Sequence, residues 1–296
     1  MMRAPESWAV ACRRPDGSII AQRNELPRLS GKSRFRRVPF VRGVLVLVES
    51  LSLGFRALSW SAIQSGAEED DELTKGQVVG TMIVAVIVAL ALFILLPAFA
   101  ANYLKGFISD TSLAFVILDG VLRIALIVLY IWAISRSSEI KRVFRYHGAE
   151  HKTIHAYENG DPLTIEAIQL YSPRHPRCGT SFILIVAMVA FVVFLALAPL
   201  PFVWQVLARI VLIPVIAGLS YELLKLGANR RWMSWANRPG IWLQKITTQE
   251  PSDDMVEVAV ASLLAALSED EIAAVEDRGP IVAAALAAER DESSDG

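Results

Sequence analysis

The sequence predicts a mainly α-helical, polytopic membrane protein: four transmembrane helices, one interfacial or re-entrant helix, and a small N-terminal β-hairpin. Three observations predict it. Of the 296 residues, 54% are hydrophobic and the mean hydropathy is +0.43, above what a soluble domain ordinarily carries. The excess is gathered into runs at 77–100, 111–134, 180–199 and 204–226, each close to the ~20 residues a bilayer core requires. The basic residues are spread one-sidedly between those runs. Two cysteines, Cys12 and Cys178, are too few for a disulfide framework. The first apolar run comes late and behind a basic region, so the pattern is not that of a cleavable signal peptide.

Residues 1–37 are polar and open with the hairpin. Ser7 to Cys12 and Ser18 to Ala21 flank Arg13-Arg14-Pro15-Asp16-Gly17, and Pro-Asp-Gly is a turn signal between strand-forming segments. Arg28, Lys32, Arg34, Arg36 and Arg37 follow. Beside an apolar segment this cluster reads either as a contact for anionic headgroups or as an ordinary topogenic signal. Residues 38–65 are apolar but interrupted by Arg42, Glu49 and Arg56 at intervals of seven, which puts the charges near one helix face. A one-sided charged stripe suits an interfacial or re-entrant helix better than a lipid-facing span. An acidic loop, Glu68-Glu69-Asp70-Asp71-Glu72, precedes the first run.

Orientation follows from Lys and Arg counts. Residues 1–37 hold nine, 136–179 seven and 227–296 six, against one in 101–110 and none in 200–203. With four spans at 77–134 and 180–226, the N-terminus, the 135–179 loop and the C-terminus all face the cytosol of a bacterial plasma membrane. A fifth span at 38–64 would place the nine N-terminal basic residues outside. Both cysteines then lie in a reducing compartment, available for metal or thiol chemistry.

The 135–179 loop holds all four histidines. His147, His151 and His155 are four apart and line one helix face, with Glu158 extending the row. His147-x-x-Glu150-His151 has the form of the inverted zinc-hydrolase motif, in which imidazoles hold zinc and the carboxylate serves as base. Glu150 is the candidate catalytic base. His147, His151, His155, His175 and Cys178 are candidate ligands, and Glu158 and Glu222 are possible additional ones. His, Cys and Glu donors suit zinc first and iron second. A solvated face, or one that contacts lipid phosphates, is the other reading. Gly148 within the row is a possible helix break. Asp161-Pro162 reads as an N-cap and first turn for a helix over 163–170. Beyond it, Ser172-Pro173-Arg174-His175-Pro176-Arg177-Cys178-Gly179 is a stiff, non-helical approach to the third run. Arg174 and Arg177 suit anion binding or positive-inside anchoring.

Charges inside apolar runs are costly and usually have a role. Asp119 and Arg123 are four apart and are expected to pair within the membrane. They offer too little polar lining for a transport pathway to lead the readings. After the fourth run, Arg230-Arg231-Trp232-Met233-Ser234-Trp235 and Ile241-Trp242 interleave basic and aromatic residues beside the membrane, which suits the lipid interface and not nucleic acid. The partners expected are membrane lipids, with no nucleic acid, and the sequence does not identify protein partners. In the 227–268 segment Ser252 starts a helix to about Leu267. Ser268-x-x-Glu271 is a capping box, and Gly279-Pro280 ends what it starts. The 269–296 tail, rich in Ala and acidic residues, is expected to be a frayed helix or disordered.

Four ordered blocks carry a resemblance. They are Arg145-Tyr146-His147-Gly148-Ala149-Glu150-His151-Lys152, His175-Pro176-Arg177-Cys178-Gly179-Thr180-Ser181-Phe182, Ala217-Gly218-Leu219-Ser220-Tyr221-Glu222, and Pro239 to Pro251. Over roughly residues 1–265 the chain resembles the bacterial YqhQ-like family, a domain of unknown function. The resemblance implies an integral membrane protein and, as the family is described by prediction, a metal-dependent enzyme of unstated reaction. The family usually has a Gly-Gly-Gln-Ala-Val-Ile-Glu-Gly-Val block just before the pair matching Met2-Arg3, so the resemblance implies a truncated or misassigned start and, if that block lines the site, an inactive form. The function expected is a metal-dependent hydrolase at the cytosolic membrane face, ahead of a non-enzymatic scaffold or lipid-interacting protein, with a transporter third.

Overall fold

The computed structural model describes residues 1–26, 41–65, 113–176, 178–197, 202–229, 235 and 237–291, with scattered positions between 80 and 103. The run at 77–100 and the basic cluster at 28–37 therefore lie outside the described residues, scattered positions aside.

The hairpin forms where Pro15-Asp16-Gly17 predicts it. Strands β2 (Ser7–Arg13) and β3 (Ile19–Glu25) pair antiparallel in the register Ala9↔Arg23 and Ala11↔Ala21. Asp16 fixes the turn by accepting from the backbone N–H of Ser18 at 2.9 Å and its hydroxyl at 2.7 Å. Strand β1 (Met2–Arg3) adds antiparallel to β2, and β4 (Glu289–Asp291), from the far end of the chain, adds parallel to β3. The sheet order is thus β1-β2-β3-β4. Period-two alternation of side chains gives β2 two buried faces. Trp8 and Val10 pack on helix α1 (Val41–Gln64), while Ala9 joins the core under helix α8 (Asp253–Ala266).

Helix α8 is the centre of this polar-side domain. Its Met-Val-x-Val-Ala-Val-Ala run is buried all round, as an apolar helix without a polar stripe must be. The sheet covers one side and α3 (Ser138–Asn159) another. Ala9 and Ala149, both fully buried, keep the contacts short, and Ser262 donates to the carbonyl of Ala9 at 3.1 Å. Ser252 occupies the N-cap position without a side-chain cap bond. Asp253 and Asp254 in the first turn suit the helix dipole instead.

The apolar helices are α2 (Leu113–Ile134), α5 (Thr180–Ala196) and α6 (Phe202–Asn229). Helix α5 packs against both α2 and α6. The amphipathic helix α7 (Arg238–Thr247) wedges Leu243 and Ile246 between Ile131 of α2 and Leu184 of α5. Among the described residues, two helices are long and apolar enough to cross a membrane, Arg42–Gln64 and Ile117–Ile134, and Thr180–Ala196 is a shorter apolar one. By composition the chain is a candidate for membrane association.

Several expectations need correction. Helix α1 is one unbroken helix of 24 residues, without the turn a re-entrant segment requires. Asp161 is not an N-cap: its carboxylate accepts from the Tyr171 hydroxyl. Thr164 instead caps the short helix α4 (Ile165–Gln169) by accepting from the Ala167 N–H at 3.2 Å. The tail is folded through Asp291. The Ser268–Glu271 capping box starts α9 (Glu269–Glu276), and α10 (Ala283–Leu286) and β4 follow. Nonlocal bonds hold it: Arg278 donates to the Tyr157 carbonyl at 2.8 Å and the Val282 N–H to the Leu163 carbonyl at 3.0 Å. Val275 is fully buried against the α8 core.

Candidate metal centre

Helix α3 carries the histidine row without a break at Gly148. That glycine is where the backbone of residues 247–250 crosses the helix: a Cβ there would lie 2.0 Å from the Gln249 carbonyl oxygen. The Gln249 N–H in turn donates to the Phe144 carbonyl at 3.0 Å. The helix ends at Gly160, whose left-handed φ of 81° lets its N–H return to the carbonyls of the last turn.

His147, His151 and His155 face a second layer, the 173–178 loop. His151 Nδ1 lies 2.6 Å from the Pro173 carbonyl and His155 Nε2 lies 3.0 Å from that of Arg174. On the other side, His147 Nδ1 lies 2.9 Å from the Thr247 carbonyl. A carbonyl only accepts, so each of these nitrogens carries the proton. His147 and His151 therefore present Nε2, and His147 Nε2 sits 3.1 Å from Cys178 Sγ. One ligand atom from each of His147, His151 and Cys178 lies within 4.8 Å of the others. Cys178 precedes α5 and is also approached by the Thr180 hydroxyl at 3.1 Å and N–H at 3.4 Å.

The electrostatics are those of a thiolate–imidazolium pair. Burial alone would raise the Cys178 thiol, but hydrogen bonds and charge from His147 and His151 hold it down to about 5. Burial alone would lower His147, but the Cys178 bond and the charges of Cys178 and Glu150 lift it to about 9. His175 is lowered by burial and by the neighbouring charge of His155. Two imidazoles and a low-lying thiolate, with the imidazole Nδ1 positions tied to carbonyl acceptors, fit a borderline-soft divalent ion such as zinc.

The other expected residues sit as follows. The His175 ring is 5.8 Å from that of His151 and 4.7 Å from that of His155, and its Nε2 is 3.4 Å from Glu158 Oε2. His155 stacks on Tyr171. These three border the triad without joining its converging donors. The Glu150 carboxylate accepts from the Met1 amine. Glu222 is not brought to the cluster, because Arg42 of α1 takes its carboxylate in an ion pair. Arg174 is exposed and Arg177 lies outside the described residues. Within α2, Arg123 Nε donates to Asp119 Oδ2 at 3.0 Å, one turn apart.

Some positioning residues escaped sequence reasoning. Gln244, fully buried, accepts from the His175 N–H at 2.8 Å and donates to the His175 carbonyl at 2.9 Å and Ser181 Oγ at 2.8 Å. It thus clamps the backbone at His175 between α7 and α5. Asn237 reaches the Pro176 carbonyl at 3.3 Å. Buried Lys152 bonds the Gln169 carbonyl at 3.0 Å and Glu250 at 2.6 Å. For Gln244 the signal was the Pro239–Pro251 block, whose polar residues among apolar ones mark a helix that must satisfy buried partners.

Fold and site together define a helix-rich, apolar chain whose converging donors lie where polar segments meet apolar helices. The family model described as "Protein of unknown function (DUF1385)" matches residues 38–269, and the chain belongs to that family. It is 35% identical over 293 residues to "Uncharacterized protein YqhQ" of Bacillus subtilis (strain 168), covering 91% of each chain. No solved structure matches. Neither description names an activity, so any chemistry must be argued from the site itself.

Proposed function

We propose that this is a multi-pass membrane protein holding a divalent metal ion, zinc first, on His147, His151 and Cys178 at the cytosolic membrane face, and that it acts as a metal-dependent hydrolase. The convergence of those three donors within 4.8 Å carries the reading. In support, backbone carbonyls orient both imidazoles, the arrangement that ligating histidines ordinarily have. Three protein donors leave room for a further ligand, and a divalent ion so held supplies Lewis acidity and a low-pKa water. Glu150, whose charge already acts on His147, would serve as the general base beside it. The spans proposed are the four runs at 77–100, 111–134, 180–199 and 204–226, with the one-sided basic residues placing both termini and the histidine segment in the cytosol.

Purified protein tests this by metal analysis. Stoichiometric zinc, lost in His151→Ala and Cys178→Ser variants that still fold, supports the centre. No stoichiometric metal, unchanged stability in both variants and indifference to chelators would sink it. A second reading, a non-enzymatic membrane scaffold, is favoured by one observation: His147, His151, His155 and His175 all have protein partners, so the cluster can tie α3 to its neighbours without an ion.

A further inference from the structure

Length and composition alone would let α1 cross a bilayer. The residues packed along it point elsewhere. Its first turn lies on α6, where Arg42 pairs with Glu222 and Gly43 abuts Gly218 and Tyr221. Further on, Glu49 pairs with Arg3 of the N-terminal strand. Leu53 and Ala57 bury against Trp8 and Val10 of β2, with Trp60 beside them. Gln64 accepts from Arg14 at the hairpin end. The face bearing Arg42, Glu49, Leu53, Ala57 and Gln64 is therefore occupied along its length, over its second half by a sheet and hairpin turn that carry Arg3, Arg13 and Arg14. If α1 spanned the membrane, that hairpin would be drawn alongside it into hydrocarbon, where charged side chains and irregular backbone are costly.

Among the described residues, the opposite face carries exposed apolar side chains. Val48, Leu51, Phe55 and Leu58 are 60%, 66%, 47% and 68% exposed. Their spacing of three, four and three places them on one side of the helix, diametrically across from Leu53 and Ala57. Exposed Ser52, Arg56 and Ser59 flank the stripe. The neighbouring helix α6 likewise exposes apolar side chains, Val211, Ile213, Val215 and Leu219.

We propose that α1 lies in the plane of the membrane, with Val48, Leu51, Phe55 and Leu58 inserted at the headgroup–acyl boundary of a phospholipid leaflet and the β-sheet domain seated on its other side. The proposal rests on the membrane reading above but not on the metal. It makes α1 a keel that holds the sheet, and the histidine helix behind it, against the bilayer surface. It also leaves the nine basic residues of 1–37 on the cytosolic side, as their count requires.

Single spin labels at Val48→Cys, Leu51→Cys, Phe55→Cys and Leu58→Cys test it in the full chain, reconstituted in phosphatidylethanolamine–phosphatidylglycerol vesicles. Val121→Cys and Leu129→Cys on α2 serve as references, and the unsubstituted chain sets the background from Cys12 and Cys178. Collision with oxygen against a water-soluble nickel chelate reports depth. The expected result is one shallow depth, roughly 5–10 Å below the headgroups, at all four α1 positions. A depth change of about 15 Å between residues 48 and 58, the rise of ten helical residues, overturns it in favour of a span. Water-exposed labels on α1 with lipid-exposed labels on α2 overturn it alone. Water-exposed labels on both overturn the membrane reading with it. Labels on α1 shielded from both colliders and broadened by spin–spin coupling overturn it in favour of a second copy of the chain.

Discussion

Replacing Gly148 with alanine tests whether residues 247–250 set the histidine row. The added Cβ would lie 2.0 Å from the Gln249 carbonyl oxygen and 3.4 Å from Pro173 Cβ. To reach the 3.4 Å at which ordinary van der Waals contact begins, the carbonyl must retreat from 2.0 Å by about 1.4 Å. It cannot do so and keep both the Gln249 N–H bond to Phe144, at 3.0 Å, and the Thr247 carbonyl on His147, at 2.9 Å. Overpacking a filled site costs ~1–3 kcal/mol, and two weakened hydrogen bonds cost about 1 kcal/mol each. Alanine recovers ~1 kcal/mol of helix propensity, so the net loss is about 2–4 kcal/mol.

Chemical denaturation in detergent measures that loss, and chelator competition for zinc measures the centre. With His147 untethered, affinity for zinc should fall about 10–100-fold, as when outer-shell partners are removed. Gly54→Ala on α1 is the control, because nothing lies within 4 Å of its added Cβ. It should be neutral or stabilising. If Gly148→Ala matches the wild type in both stability and zinc affinity, the argument that this strap positions the site is wrong.

Three further outcomes follow from the structure. In chelator-treated protein the folded Cys178–His147 pair keeps one proton between about 5 and about 9, whereas the unfolded chain takes up a second as His147 protonates below its ordinary 6.5. Stability should therefore be level from about pH 6.5 to 9 and fall towards pH 5, and pH-dependent melts of wild type and His147→Ala should differ in that fall. Gln244→Leu leaves the His175 N–H and carbonyl and Ser181 Oγ without this partner, at ~1–3 kcal/mol for each group left buried and unpaired. Its zinc affinity should fall further than that of Lys245→Ala on the same helix, read by the same competition assay. Val275→Asp places a carboxylate where exposure is 0%. Limited proteolysis should then release the segment after Leu267 while the apolar helices stay protected.

The parts of this protein legible from its sequence were the local ones. A four-residue interval put His147, His151 and His155 on one face, Pro-Asp-Gly named the hairpin turn, and Ser268-x-x-Glu271 named a helix start. Each is decided within one turn of chain. What stayed hidden depended on distant partners. Glu222 looked free to serve the cluster until Arg42, 180 positions away, claimed it. Gly148 read as a weak point because the carbonyl that requires it comes a hundred residues later. The tail looked disordered because β4 gains its hydrogen bonds only from β3, and a three-residue strand has no periodic signature of its own.

The same distinction bears on how the site is held. His147, His151 and His155 are all oriented by backbone carbonyls, so the side chains at 173, 174 and 247 contribute little to that geometry. What matters is where their backbone lies. Two supports set it: Gln244, which fixes the 173–178 loop, and the path of α7, which delivers the Thr247 carbonyl. Both belong to one helix, and that helix is itself positioned by Leu243, fully buried against Ile131 of α2 and Leu184 of α5. A tilt of α7 between those apolar helices would move the loop clamp and the His147 tether together. Donor spacing at the cluster is thus mechanically tied to the packing of the apolar helices, although none of its donors lies within them.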